Sequence, residues 1–129
     1  MKKNMRVVIA RLGMDSHWRG SIVVARTLRD AGMEVIYLGN QMPDAIVQTA
    51  LQENADVIGL STLSGNHMIL TPEVTKLLSE EGLEDTVVIL GGAIPPADIP
   101  KLKELGVAEV FGTGSSLEHI VQYISGLEF

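Results

Sequence analysis

Residues 7–28 read Val7-Val8-Ile9-Ala10, then Arg11-Leu12-Gly13-Met14-Asp15-Ser16-His17-Trp18-Arg19-Gly20, then Ser21-Ile22-Val23-Val24-Ala25-Arg26-Thr27-Leu28. The first four form a short β-branched run of the kind that makes a buried strand. The last eight carry apolar residues at 22, 23, 24, 25 and 28, which suits a helix buried along one side. Residues 11–20 then form a strand-to-helix connection. At about ten residues it exceeds the usual βα loop, and a compact domain seldom carries extra loop length without using it.

The same alternation recurs along the chain. Strands are expected at Arg6–Arg11, Glu34–Leu38, Val57–Ser61, Thr86–Leu90 and Val107–Phe111. Helices are expected at His17–Ala31, Pro43–Asn54, Ile69–Glu81, Ala97–Leu105 and Leu117–Ile124. Gly32, Gly82 and Gly106 stand where helices should stop, Pro43 suits a first helical turn, and Gly39-Asn40-Gln41 reads as a turn. Strict βα alternation gives a parallel sheet covered by helices on both faces. Five strands favour a flavodoxin-like, Rossmann-like three-layer fold with strand order 2-1-3-4-5 and a switch point between the first and third strands. Ligands of such sheets bind at the carboxyl ends of the strands. Four loops meet there: 11–20, 61–66, 91–96 and 112–116.

At 129 residues the chain has room for one domain spanning 1–129. No apolar run reaches the length of a membrane span, and no signal-peptide core precedes the first strand. Zero cysteines exclude disulfides, thiolate metal sites and thiol catalysis, and suit a cytoplasmic location. A net charge of −6, with no basic tract beyond Lys2-Lys3, argues against nucleic acid as a partner. Aromatic content of 4% is too low for a base-stacking platform or an aromatic flavin sandwich.

Asp15 and His17 stand two apart in the opening loop. Such a pair can set a carboxylate against one imidazole nitrogen and leave the other free for a metal. The alternative is that Asp15 caps the helix and His17 sits in its first turn. A phosphoacceptor regulator would need an aspartate after the third strand, where Ser61 stands, and a lysine after the fifth. A flavin mononucleotide site would want a Ser/Thr-rich phosphate loop after the first strand, and a dinucleotide site Gly-x-Gly-x-x-Gly. Neither is there. Glycines at 91, 92, 112 and 114 instead leave space along two strand ends, as a large elongated ligand would need.

Asp15-Ser16-His17-Trp18-Arg19-Gly20, Ser61-Thr62-Leu63 and Gly91-Gly92 together resemble the Asp-x-His-x-x-Gly … Ser-x-Leu … Gly-Gly signature of cobalamin-binding domains. Residues 24–37 and Leu63-Ser64-Gly65-Asn66-His67-Met68 are similar to the cobalamin module of methylmalonyl-CoA mutase and related acyl-CoA mutases. The likeness covers about residues 6–125.

The resemblance implies adenosylcobalamin bound with its own base detached from cobalt and His17 as the lower axial ligand. Asp15 would hydrogen-bond the other nitrogen of His17. Ser61 would bond the detached base between the sheet and the first helix, and Leu63 would shape that slot. Gly91, Gly92, Gly112, Thr113, Gly114 and Ser115 would flank the nucleotide tail. Ser16, Trp18, Arg19, Gly20 and Ser64 complete the implied cofactor-binding set.

Arg11 departs from the family, which often has lysine there; arginine keeps the charge but cannot give up its proton. Ser16 replaces a frequent glycine and Trp18 a frequent aspartate. Trp18 packs either on the corrin rim or a partner, or back onto the core.

No residue set resembles an acyl-CoA site. Standalone modules of this kind resemble small subunits of acyl-CoA mutases, whose large subunit holds the thioester during a carbon-skeleton rearrangement. The alternatives are a corrinoid carrier or cobalamin sensor, which usually place a helical cap domain before this module, and an interaction module that has lost the cofactor. His67 near the crevice carries less weight as a ligand contact, and His119, beside Glu118, is expected to be solvated.

Overall fold

The computed structural model describes residues 5–12, 19–62, 67–92, 94–112 and 115–127. Five strands, β1 (Arg6–Leu12), β2 (Glu34–Gln41), β3 (Val57–Thr62), β4 (Val87–Gly92) and β5 (Glu109–Phe111), form one parallel sheet in the order β2-β1-β3-β4-β5. Helices α1 (Arg19–Asp30), α2 (Pro43–Glu53), α3 (His67–Glu80), α4 (Ile99–Glu104) and α5 (Leu117–Ser125) alternate with them, and a 3-10 turn at Pro96–Asp98 precedes α4. The topology is the expected doubly wound one.

Alternation along the strands divides the core into two layers. Val7, Ile9, Val57, Ile89 and Phe111 pack against Ala25 and Leu28 of α1 and Ile120 and Ile124 of α5. Val8, Ala10, Ile58, Leu60, Val88 and Leu90 pack against α2, α3 and α4 through Ile46, Val47, Val74, Leu78 and Leu102. Both faces of β3 are covered, which is why Val57, Ile58 and Leu60 form an almost unbroken apolar run.

Three boundaries correct the sequence reading. First, β1 runs through Leu12 and α1 begins at Arg19, so the connection is residues 13–18, within the ordinary range for a βα loop. Its extra length was overstated, because Leu12 extends the strand and Arg19 and Gly20 already belong to α1.

Second, Gly39-Asn40-Gln41 is not a turn but the end of β2. Tyr37 pairs with Ile9 and Gly39 with Ala10, so Leu38 is a bulged residue. Gly39 has φ +73°, a conformation open to glycine, and this lets the strand resume pairing. Third, Pro95 and Pro96 impose a 3-10 turn, delaying α4 to Ile99. No helix among the described residues is long and apolar enough to cross a membrane.

Candidate functional site

Strand register places one row of residues at the carboxyl end of the sheet. Asn40, Arg11, Ser61, Gly91 and Phe111 are paired in succession across β2, β1, β3, β4 and β5. Alternation from Ile9, Val57 and Ile89 puts Arg11, Ser61 and Gly91 on the face that α1 and α5 cover. The centre of this row carries only a hydroxymethyl group and a hydrogen.

A Cβ added at Gly91 would meet nothing nearer than the Phe111 carbonyl oxygen at 3.6 Å, and one at Gly112 would meet nothing within 4 Å. One layer deeper, the place where Gly59 would carry a Cβ is filled by Ile9, whose Cδ1 lies 2.7 Å from it. Among the described residues, the result is a trough with an apolar bottom at Ile9, a hydroxyl at Ser61 and open backbone towards β5.

The walls are set locally. The Arg11 guanidinium passes over β2, with Nη2 3.8 Å from where Gly39 would carry a Cβ. Beyond β5, the Ser115 amide donates to the Gly112 carbonyl at 3.1 Å, and Ser116 caps α5 by accepting from the His119 amide at 3.0 Å. Phe111 is gripped by two edge-on rings, His119 at 5.4 Å and Tyr123 at 5.6 Å between centroids. His119 is thus exposed, as expected, but it also packs on the residue that ends the row.

Glu109 fixes the near end of β5 through Lys103 at 3.2 Å. Burial opposes its ionisation, but the Val110 amide, Lys103 and His119 outweigh burial and hold its carboxyl below the usual range. Burial, aided by the Glu109 charge, raises the Tyr123 phenol.

The opposite face of the same edge is built differently. Thr62 and Gly92 are paired one step beyond Ser61 and Gly91, facing α2, α3 and α4. Gly92 has φ +126°, and an added Cβ there would overlap the Thr62 carbonyl oxygen. His67, the first residue of α3, is buried, and its Nε2 lies 2.8 Å from Asp98 Oδ2. Sequence patterns lend His67 little weight and Asp98 none, because the partners are 31 residues apart on two different connections. Periodicity carries no signal for such a pair.

Of the sequence-derived site, the structure brings Ser61, Gly91 and Gly92 together on adjacent strand ends. Gly112 and Ser115 lie beyond the neighbouring strand, and Arg19 and Gly20 open α1. Asp15, Ser16, His17, Trp18, Leu63, Ser64, Thr113 and Gly114 lie outside the described residues.

A doubly wound domain with a side-chain-poor trough at its switch point belongs to the class that holds an extended cofactor between sheet and helices. The B12 binding domain family matches residues 5–121, and this chain belongs to that family. It is 45% identical over 124 residues to the 2-hydroxyisobutanoyl-CoA mutase small subunit of Aquincola tertiaricarbonis, covering 95% of this chain and 91% of that protein. It is 42% identical over 124 residues to the pivalyl-CoA mutase small subunit of Xanthobacter autotrophicus, covering 95% and 83%. Among solved structures, a cobalamin-binding protein from Desulfitobacterium hafniense superposes with a TM-score of 0.81 at 25% identity. The match covers 95% of this chain and 58% of that one, so the chain spans little more than half of that protein.

The described residues fit cobalamin. Among the described residues, the sheet edge facing α1 is bare at Gly91, open at Gly112 and polar at Ser61. A slender, partly polar group needs that combination of room beside the sheet and a hydrogen-bonding side chain.

Proposed function

We propose that this chain, as one domain over residues 1–129, is the small, adenosylcobalamin-holding subunit of an acyl-CoA mutase. The observation that carries this reading is the bare Ser61–Gly91 centre of the terminal row, in a chain of the B12 binding domain family. When bound, the cofactor supplies the radical chemistry of a carbon-skeleton rearrangement. The chain's own residues bind and orient. His17 would hold the cobalt, and Asp15 would fix its tautomer and basicity from the other ring nitrogen.

Ser61 would bond the detached base, Leu63 would help shape its slot, and Ser64 belongs to the same cofactor-binding set. Gly91, Gly92, Gly112, Thr113, Gly114 and Ser115 admit the tail. Ser16, Trp18, Arg19 and Gly20 complete the β1–α1 side. A separate large subunit binds the acyl-CoA. A chain without cysteine, working on thioesters beside such a partner, fits the cytoplasm.

The rim of the domain supports a partner seated over the carboxyl edge. Exposed Met42, Ile69, Pro95, Pro96, Ala97 and Leu117 surround that edge, with Asp44 and Glu118 as the acids among them. The amino edge instead exposes Asp30, Glu34, Glu80, Glu81, Glu84 and Asp85. An apolar rim around a cofactor crevice suits a protein partner that closes it, and an acidic rim suits water. Ile69, 72% exposed in the first turn of α3, is the outermost of these side chains.

Reconstitution tests the reading. Mutase activity on an acyl-CoA is expected only when this chain, the large subunit and adenosylcobalamin are combined. Ile69→Asp should raise the concentration of this chain needed for half-maximal activity by roughly tenfold, about 1.4 kcal/mol. Full activity of the large subunit with adenosylcobalamin alone would rule the assignment out.

A further inference from the structure

Buried His67 and half-buried Asp98 form a pair that the proposed cofactor contacts do not use. His67 is 4% exposed at the start of α3, and Asp98 ends the 3-10 turn after β4. The 2.8 Å contact therefore joins the β3–α3 connection to the β4–α4 connection. An ionised carboxylate can only accept, so His67 Nε2–H donates.

Two further observations set the pair apart from ordinary scaffolding. Asp98 is the last residue of the 3-10 turn, in helical backbone (φ −84°, ψ −17°), and α4 follows it directly, so its carboxylate has no helix start to cap and meets His67 instead. In addition, His67 Nδ1, Thr62 Oγ1 and Thr71 Oγ1 are buried with no hydrogen-bond partner among the described residues, all at the end of β3 or in the first two turns of α3. Unpaired buried polar atoms are unfavourable, and apolar groups of similar shape would stabilise the fold better.

We propose that the His67–Asp98 pair is a positioning clasp, holding the β3–α3 and β4–α4 connections at the spacing the cobalamin crevice requires. The inference rests on the reading of this chain as a cobalamin binder. Ser61 stands six residues before His67, and Gly91 seven before Asp98. The clasp ties together the far sides of the two connections whose near sides are the Ser61–Gly91 trough and the Thr62–Gly92 contact. The ladder from Val57–Val87 to Thr62–Gly92 sets the separation of the strand ends themselves, and the clasp holds the two connections beyond that ladder.

The test titrates cobalamin by absorption into wild type, His67→Phe and His67→Gln, with the large subunit present, and records thermal midpoints without cofactor. Phenylalanine keeps the ring volume and removes the donor, whereas glutamine can still donate to Asp98. The expected result is at least tenfold weaker cobalamin binding for His67→Phe, with a midpoint equal to or above wild type. His67→Gln should bind within about threefold of wild type, and the spectrum at saturation should be unchanged in both variants.

Wild-type affinity in His67→Phe, or equal losses in both variants, would overturn the proposal. So would a melting or folding defect in His67→Phe that parallels its loss of binding. Wild type that binds no cobalamin would instead refute the cofactor reading itself, and the clasp with it.

Discussion

Gly92→Ala is expected to destabilise the domain by roughly 3–5 kcal/mol, a large share of the ~5–15 kcal/mol that holds a domain of this size. Two costs combine. The backbone at Gly92 has φ +126°, where a side chain is strained. The added methyl would also overlap the Thr62 carbonyl oxygen and sit 2.9 Å from the Thr62 carbonyl carbon. Those are backbone atoms of a central, fully paired strand and cannot swing aside. Thermal or denaturant unfolding of the purified variant measures the effect. A midpoint within about 2 °C of wild type would mean that the two strand ends are not held as close as the structure has them.

Gly91→Leu, one residue earlier, should do the reverse: spare the fold and remove the cofactor. Gly91 does not share the positive φ of Gly92, and a Cβ there meets only the Phe111 oxygen at ordinary van der Waals distance. The leucine side chain would project over Ser61 into the trough, where the base and tail are proposed to lie. Cobalamin affinity is expected to fall at least ~100-fold, about 2.7 kcal/mol, with the unfolding midpoint within a few degrees of wild type. Undiminished binding in a folded Gly91→Leu protein would place the tail elsewhere.

The contrast between these adjacent glycines shows how far the sequence could be read. Strand order followed from five apolar runs alternating with helical stretches, because burial on both faces writes itself as continuous Val, Ile and Leu in β3 and β4. The pairing of Ser61 and Gly91 at one edge was legible because polar or bare positions interrupt those runs there.

Other features had no local signature. The bulge at Leu38 arises from pairing with β1, so Gly39 looked like a turn glycine. The two roles of Gly91 and Gly92 depend on which face each presents, which register fixes and composition does not. His67 and Asp98 meet only because α3 and α4 share a layer, a contact of tertiary origin. Phe111 ends the cofactor row yet reads from sequence as ordinary strand core.

The central claim is that this chain holds cobalamin with its own base displaced and His17 on the cobalt. The absorption spectrum of the purified protein mixed with hydroxocobalamin or adenosylcobalamin, wild type beside His17→Ala, tests it most directly. The expected result is a base-off, histidine-ligated spectrum in wild type that His17→Ala abolishes. A wild-type protein that leaves both the spectrum and the elution of cobalamin unchanged, with the large subunit present, would contradict the claim.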